Sequence, residues 1–556
     1  MRTYWPLAAL ALLAPSPVHA FCGFYVAGAD AELFADATNV VLMRRHDTTI
    51  LSMQNDYRGP PEDFALVVPV PVVLSEDDVK TLPRELFTTV DRLASPRLVE
   101  YWEHDPCTED ADNWGFGGLG LRGTGRGGGG VGEGTIGLGV TVEAEFAVGE
   151  YDIVILSAED SSGLETWLRG NDYHIPDGAE AALRPYVEAG TKFFVARVNV
   201  DRVTFESGRA VLSPLRVHYD SERFELPVRL GLLNSDGTQD LVVHILAPGQ
   251  RFEVANYDNV TIPTNLDVDD SVREQFGGFY AALFDATVER HPGAVVTEYA
   301  WLSSNCDPCP GDTYGLSQRD LFLLGADALG ASQPGPGFGS IGLGSIGRPR
   351  PAPRPARSGG DPSIYAEPWV LTRLHYRYGE GALTDDLVFR AAPAIVGGRE
   401  VRGEDGALSL DAQPAEINAF QGRYAIRHPW EGPIECDEPV RGRWGGPPGQ
   451  PMYGTMNAAA DASDRVAARA GGEAVVLSTV LRQPVPALGL GADDVGERPA
   501  PEETEPEEPA TEAAPAQAPA EETSGCGCRV GASARKTDAL LMLAVLGLGL
   551  LRRRRR

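Results

Sequence analysis

The chain has 556 residues, with 79 Asp and Glu against 48 Lys and Arg, and a formal net charge of −31. A surface this negative opposes binding to nucleic acid or anionic lipid and favours solubility, so DNA and RNA are not expected partners. The length allows roughly two to four domains with a well-buried core, while 64 Gly and 43 Pro pull the chain towards loops and linkers.

Residues 1–20 carry Arg2, an apolar run over 7–13 and the small-residue pattern Val18-His19-Ala20. Together they read as a secretory signal peptide cut before Phe21. Phe21 stands where a lipoprotein signal has a small residue, so N-terminal lipidation at Cys22 is the less favoured reading. The exported body keeps Cys22, Cys107, Cys306, Cys309 and Cys436, all disulfide candidates in an oxidising compartment. Spacing alone does not fix their connectivity. The preferred arrangement joins Cys22 to Cys107 and Cys306 to Cys309, leaving Cys436 free or paired with a tail cysteine.

Two β-rich runs over 39–43 and 48–53 flank a short polar turn and predict a hairpin. The apolar run 64–74 predicts a third strand, at an edge or with a bulge, because Pro69 and Pro71 lack an N–H. A helix follows from Pro83, with Leu86, Val90 and Leu93 on one face. Residues 97–102 return as a strand. The glycine-dominated stretch 114–139 reads as a flexible loop, since a nucleotide loop would follow a strand and open a helix. Residues 143–156 resume as strand. Helical turns are predicted over 162–169 and 179–189, the second kept short by Pro185. Strands over 192–200, 216–219, 224–232, 240–247 and 251–255 follow at short spacing, which predicts antiparallel packing rather than βαβ units. A longer helix over 271–288 carries Phe276, Phe279, Tyr280, Leu283 and Phe284 on an apolar face. The expected fold class is α+β and β-rich: antiparallel sheets, a few short packed helices, Gly/Pro-rich loops and a disordered acidic C-terminal linker.

Within this pattern, Trp167-Leu-Arg-Gly-Asn-Asp-Tyr-His-Ile-Pro176, Lys192-Phe-Phe-Val-Ala-Arg197, the segments 212–220 and 226–231, and Cys306-Asp-Pro-Cys-Pro310 resemble the DUF2330 family of exported bacterial proteins. The opening Cys22-Gly-Phe-Tyr and the segments 53–55 and 59–64 fit it too. The resemblance covers residue 22 to about 330, making 21–330 a family-like body, and it implies no catalytic residue.

Beyond it, 331–360 is a Gly/Pro-rich linker or loop whose 349–357 stretch favours polyproline II. Residues 361–480 form a smaller β-containing module or an extension of the body, with strands over 369–378 and 386–390. The stretch 481–524 is expected to be a disordered acidic stalk. Its Pro, Ala and Glu cannot bury enough apolar surface to offset the entropy of ordering.

The tail 525–556 reads Gly-Cys-Gly-Cys, a short polar stretch, an apolar run over 539–551 and five arginines. That run falls short of the roughly 20 residues needed to span a bilayer core. Arg552 to Arg556 would be stopped at the cytoplasmic face, presenting Cys526 and Cys528 to processing enzymes as sorting and lipidation candidates. These features resemble the MYXO-CTERM sorting tail of myxobacteria and their relatives. The resemblance implies cleavage, lipidation near the cysteine and delivery to the outer surface of a Gram-negative cell. A plain C-terminal membrane anchor is the alternative.

Few residues suggest chemistry. Cys306-Asp-Pro-Cys309 is a local disulfide, a redox pair or a metal-ligand pair. Pro308 and Pro310 keep the second cysteine out of a regular helix and favour the first, and no second Cys-x-x-Cys completes a zinc site. His218, Asp220 and His244 fall on neighbouring predicted strands and are the metal candidates, with Asp267, Asp269 and Asp270 as oxygen donors. Residues 267–270 are too short for an EF-hand loop. No serine-hydrolase elbow or His-Glu-x-x-His is present, so no catalytic residue is nominated and no cofactor is expected. The expected function is that of an exported, surface-anchored protein acting in binding or envelope structure, with an exported thiol-disulfide or metal-dependent enzyme as the alternative. Its expected partners are the membrane, through the processed tail, and the sorting and lipidation machinery. The ligand is left open.

Overall fold

A computed structural model describes residues 24–26, 34–58, 65–107, 140–171, 178–206, 209–234, 238–307, 309, 315–334, 361–379, 383–403, 406–447, 458–461 and 475–496. The strands Phe34–Arg45 and Thr48–Arg58 form the expected hairpin, turning at His46 and Asp47, with His46 in the left-handed region at φ +53°. Val40 and Leu42 face one way, Val41 and Met43 the other, and all four are buried. A strand covered on both faces reads as a continuous apolar run, because successive side chains alternate.

That hairpin lies inside an eleven-stranded sheet. From one edge the order is Gln413–Pro414, Ile395–Gly397, Ala419–Gln421, Val295–Leu302, Trp369–Tyr378, Gln239–Pro248, the hairpin strands Phe34–Arg45 and Thr48–Arg58, Leu215–Asp220 and Val79–Thr81, with Asn259–Thr261 also paired to Val295–Leu302. Most pairings are antiparallel. Gln239–Pro248 runs parallel to Phe34–Arg45, as strands that are not joined by a hairpin can.

One face of this sheet packs on a five-stranded sheet through Leu66, Ile153, Ile155 and Phe194. The outer side of that second sheet is covered by α2 (Ser161–Gly170) and α3 (Ala179–Glu188) through Leu164, Leu168 and Leu183. The opposite face of the central sheet is covered by α1 (Arg84–Ala94), whose Leu86, Phe87, Val90 and Leu93 are buried. A further helix, α4 (Phe276–Arg290), packs its Phe276, Phe279 and Leu283 with Tyr424 and Ile426 of a separate small sheet.

Several expectations are corrected. The stretch 143–156 is two strands, Val140–Val148 and Tyr151–Ala158, reversing at Gly149 with φ +56°. The strand over 224–232 is only Glu225–Leu226. Pro227 removes the next ladder donor, and Arg229–Asn234 coils into 3-10 turns. The helix over 271–288 splits into a 3-10 turn, Asp270–Arg273, and α4. Pro69 lies inside Ala65–Val70, which is paired on both sides, yet the outer neighbour Phe24–Val26 pairs only as far as Val67. The missing N–H therefore falls where that ladder has ended. Of the two readings of 361–480, the strand over 369–378 agrees with an extension of the body: it lies in the middle of the central sheet, between Val295–Leu302 and Gln239–Pro248.

The acidic stretch does not begin at 481. Leu481, Val485 and Leu488 are buried in the α4 cluster, because three apolar side chains within eight residues can cover an apolar helix face. The Gly-rich 114–139 stretch, most of 331–360, residues 497–524, the tail with Cys526 and Cys528, the signal stretch and Cys22 lie outside the described residues.

The expected Cys22–Cys107 bridge is also replaced. Cys107 bonds Cys436, with Cα atoms 5.5 Å apart. The cause is a parallel pairing that places Arg423–His428 beside Arg97–Glu103, with His428 opposite Trp102. Both chains leave that sheet at the same end, and the Val440 N–H donates to the Pro106 carbonyl at 3.0 Å.

Candidate functional site

The strand Val295–Leu302 ends in a tight loop. The Asn305 N–H donates to the Leu302 carbonyl at 3.0 Å, and the Leu316 N–H closes the loop base on the Ser303 carbonyl at 2.7 Å. Gly315 is required there: its φ is +72°, and a Cβ would lie 2.4 Å from the Ser304 carbonyl carbon. Cys306 and Cys309 within this loop are bonded to each other.

Opposite stands Arg399, at the end of a turn the backbone adopts reluctantly. Gly398, Arg399 and Glu400 all have positive φ, at 69°, 53° and 64°. For the two non-glycine residues this costs roughly 1–2 kcal/mol each. Gly398 has no substitute, since a Cβ there would sit 2.2 Å from the Gln421 carbonyl oxygen. The surroundings enforce the turn. The Glu400 N–H donates to Asn265 Oδ1 at 3.2 Å, and its carboxylate accepts from Arg427 Nη2 at 2.8 Å. Asn265, itself buried, donates to the carbonyls of Val401 and Ser409.

The turn lays the Arg399 guanidinium 4.1 Å from the centroid of the Trp301 ring. Its Nε and Nη2 reach Asp307 Oδ2 at 3.0 and 2.9 Å. Arg423 Nη1 approaches the same oxygen at 3.5 Å. The result is an open pocket of about 300 Å³ lined by Trp301, Ser304, Asn305, Asp307, Arg399 and the Cys306–Cys309 disulfide. Its chemistry is an Arg399–Asp307 ion pair and polar side chains between an indole and a disulfide.

Residues 16–390 match the model of a family described as an uncharacterized protein conserved in bacteria, DUF2330. The chain belongs to the DUF2330 family. The DUF2330 match runs past residue 330 and takes in Trp301, the disulfide loop and the central strand Trp369–Tyr378, whereas Arg399 and Cys436 follow it. No curated protein and no solved structure matches the chain.

A second polar cluster of this DUF2330 chain is buried beneath α1 and α4. Glu298 sits at a register shift in its strand and is fully buried. Its carboxylate accepts from Arg373 Nε at 2.6 Å, lies 2.9 Å from His375 Nδ1 and accepts a hydrogen bond from the Tyr280 hydroxyl. Arg373 also bonds the Asp91 carboxylate of α1 and stands 3.1 Å from His244 Nε2. His375 Nε2 is 3.1 Å from Asp240 Oδ1, and Arg377 joins Asp240 to Asp285 of α4. Burial opposes ionisation of Asp240, but the bonds from His375 and Arg377 hold its carboxyl well below the usual range. These groups bond one another, with Arg373 Nη2 left unsatisfied among the described residues, and tie two helices to the sheet.

The metal candidates of the DUF2330 body do not converge. His218 faces Asp78, with Nδ1 3.2 Å from its carbonyl and Nε2 3.2 Å from its carboxylate. Asp220 accepts from Thr48 Oγ1 at 2.6 Å. His244 lies three strands away, at about 4.8 Å per strand, with Nδ1 2.9 Å from Asn39 Oδ1. Asp267 holds Arg427 at 2.7 Å, Asp269 caps the Ser271 N–H at 3.0 Å, and Asp270 lies 3.8 Å from Arg273. Among the described residues no group of three or more His, Cys, Asp or Glu is set to hold a metal.

Sequence reasoning found the disulfide loop and missed Arg399, Trp301 and Asn305. The available signal was Gly397-Gly398, a pair that marks a turn in a strand-rich stretch.

Proposed function

We propose that this is an exported binding protein, its folded head carried on the acidic stretch over 497–522 and held at the outer cell surface through the processed 525–556 tail. One observation carries the binding assignment: a backbone turn in the left-handed region holds Arg399 over Trp301 at the mouth of the pocket. Strain that the surroundings enforce collects at ligand clamps, and a cation beside apolar walls is a recognition chemistry. Support for export comes from the signal pattern at the front of the chain and from two disulfides, which persist in oxidising compartments. Among the described residues no helix is long and apolar enough to cross a membrane, so the tail is the proposed anchor.

Deleting 525–556 releases the protein into the medium under this reading; a truncated chain that stays on the cells overturns it. A second reading, thiol-disulfide exchange, is favoured by Cys306 and Cys309 lining the pocket. Thiol titration separates the two. A pair that stays oxidised against a dithiol substrate protein belongs to a structural wall, and one that turns over belongs to an oxidoreductase.

A further inference from the structure

We infer that the pocket beside the Cys306–Cys309 disulfide recognises a carboxylate, carried either by a small organic acid or by a chain terminus. This rests on the binding reading above and names its ligand class. Arg399 spends Nε and Nη2 on Asp307 Oδ2, while Nη1 has no partner among the described residues. Asn305 accepts from the Ser304 hydroxyl through Oδ1 at 3.2 Å, and its Nδ2 has no partner among the described residues either. Both side chains line the pocket. Two donors without partners, one of them on a planar guanidinium, suit the two oxygens of a carboxylate.

The charges around the pocket pair off: Arg399 and Arg423 share Asp307, and Arg427 stands between Asp267 and Glu400. A dianion such as phosphate would stand against Asp307 and against a chain of net charge −31. The walls set the rest of the ligand. The Trp301 indole and the disulfide are apolar, and a volume of about 300 Å³ lies at the lower end of small-molecule sites. A few carbons beside the carboxylate fill it.

The test uses the full chain and ligand-observed NMR titrations with hexanoate and N-acetyl-alanyl-alanine, each against its primary amide. The expected result is saturable binding of at least one acid, with its amide weaker by about tenfold or more. Arg399→Gln and Asn305→Asp weaken the acid by a similar factor with melting temperatures close to the parent. Should Arg399→Gln fail to fold, the more peripheral Asn305→Asp still decides the matter. Binding of the dipeptide alone identifies a chain terminus, and binding of both acids identifies the carboxylate as sufficient. Amides that bind as well as acids, variants that bind as the parent does, or no binding by either acid overturns the inference. Failure of the acids in a chain that is released by deleting 525–556 removes the carboxylate and leaves the surface reading standing; a chain that never leaves the cytoplasm removes that reading itself.

Discussion

Replacing Cys107 and Cys436 together by serine opens a covalent loop whose ends lie 329 residues apart in sequence. The small sheet this bond serves packs one face on α4 through Leu98, Tyr424 and Ile426, while its other apolar cluster is only Val99, Tyr101 and Ala425 with Trp444 packed against them. Closing a loop of that length removes unfolded-chain entropy equivalent to about 5–6 kcal/mol at room temperature, the upper end of what disulfides contribute. The same relation gives about 2 kcal/mol for Cys306–Cys309, which are three residues apart. A total stability of roughly 5–15 kcal/mol makes the first loss severe and the second modest. Urea unfolding of the two double-serine variants, followed by circular dichroism, reads the difference as a shift in midpoint. The Cys107/Cys436 variant is expected to unfold at the lower urea concentration by a wide margin. Equal midpoints, or the reverse order, would refute the argument from loop length.

Two further outcomes follow from packing and charge. Leu481→Ala removes a fully buried side chain from the α4 cluster and is expected to cost about 2–5 kcal/mol, read as a lowered melting temperature; no change would mean that residues 475–496 do not dock on α4. Asp240 has a folded pKa below its unfolded value, so its stabilisation is complete above the ordinary carboxylate pKa of about 4 and is lost as pH falls below it. Asp327, opposed by burial and held down by bonds from Arg216 and Lys80, acts in the same direction. Melting temperatures should therefore fall between about pH 4 and pH 2, and Asp240→Asn, already destabilised at pH 7, should fall less steeply. A parallel decline in both proteins would remove Asp240 from the account.

Much of the fold was legible because its signals are local. Two β-rich runs flanking a polar turn over 39–53 specified a hairpin, and the i, i+4, i+7 spacing of Leu86, Val90 and Leu93 specified α1. Errors arose where a neighbour far along the chain overrode the local pattern. Apolar residues over 481–488 stand just before the Pro/Ala/Glu-rich stretch and were read as part of the stalk, yet the apolar face of α4 gave them somewhere to bury. The metal candidates were taken from neighbouring predicted strands, and the sheet order instead set the hairpin strands Phe34–Arg45 and Thr48–Arg58 between those bearing His244 and His218. The pocket was half legible: Cys306-Asp-Pro-Cys309 is visible in any reading of the chain, whereas its pairing with Arg399 is not.

From the sequence alone came the strand-rich class, the hairpin and α1, each resting on residue patterns within a few turns or strands, and the family likeness, carried by segments spread over about 22–330. Tertiary structure decided the central position of Trp369–Tyr378, the Cys107–Cys436 bond and the meeting of Arg399 with Trp301. Those contacts join residues about 70 to 329 positions apart. Which strand pairs with which is set by the apolar area that the whole arrangement buries, and no short stretch of sequence contains that quantity.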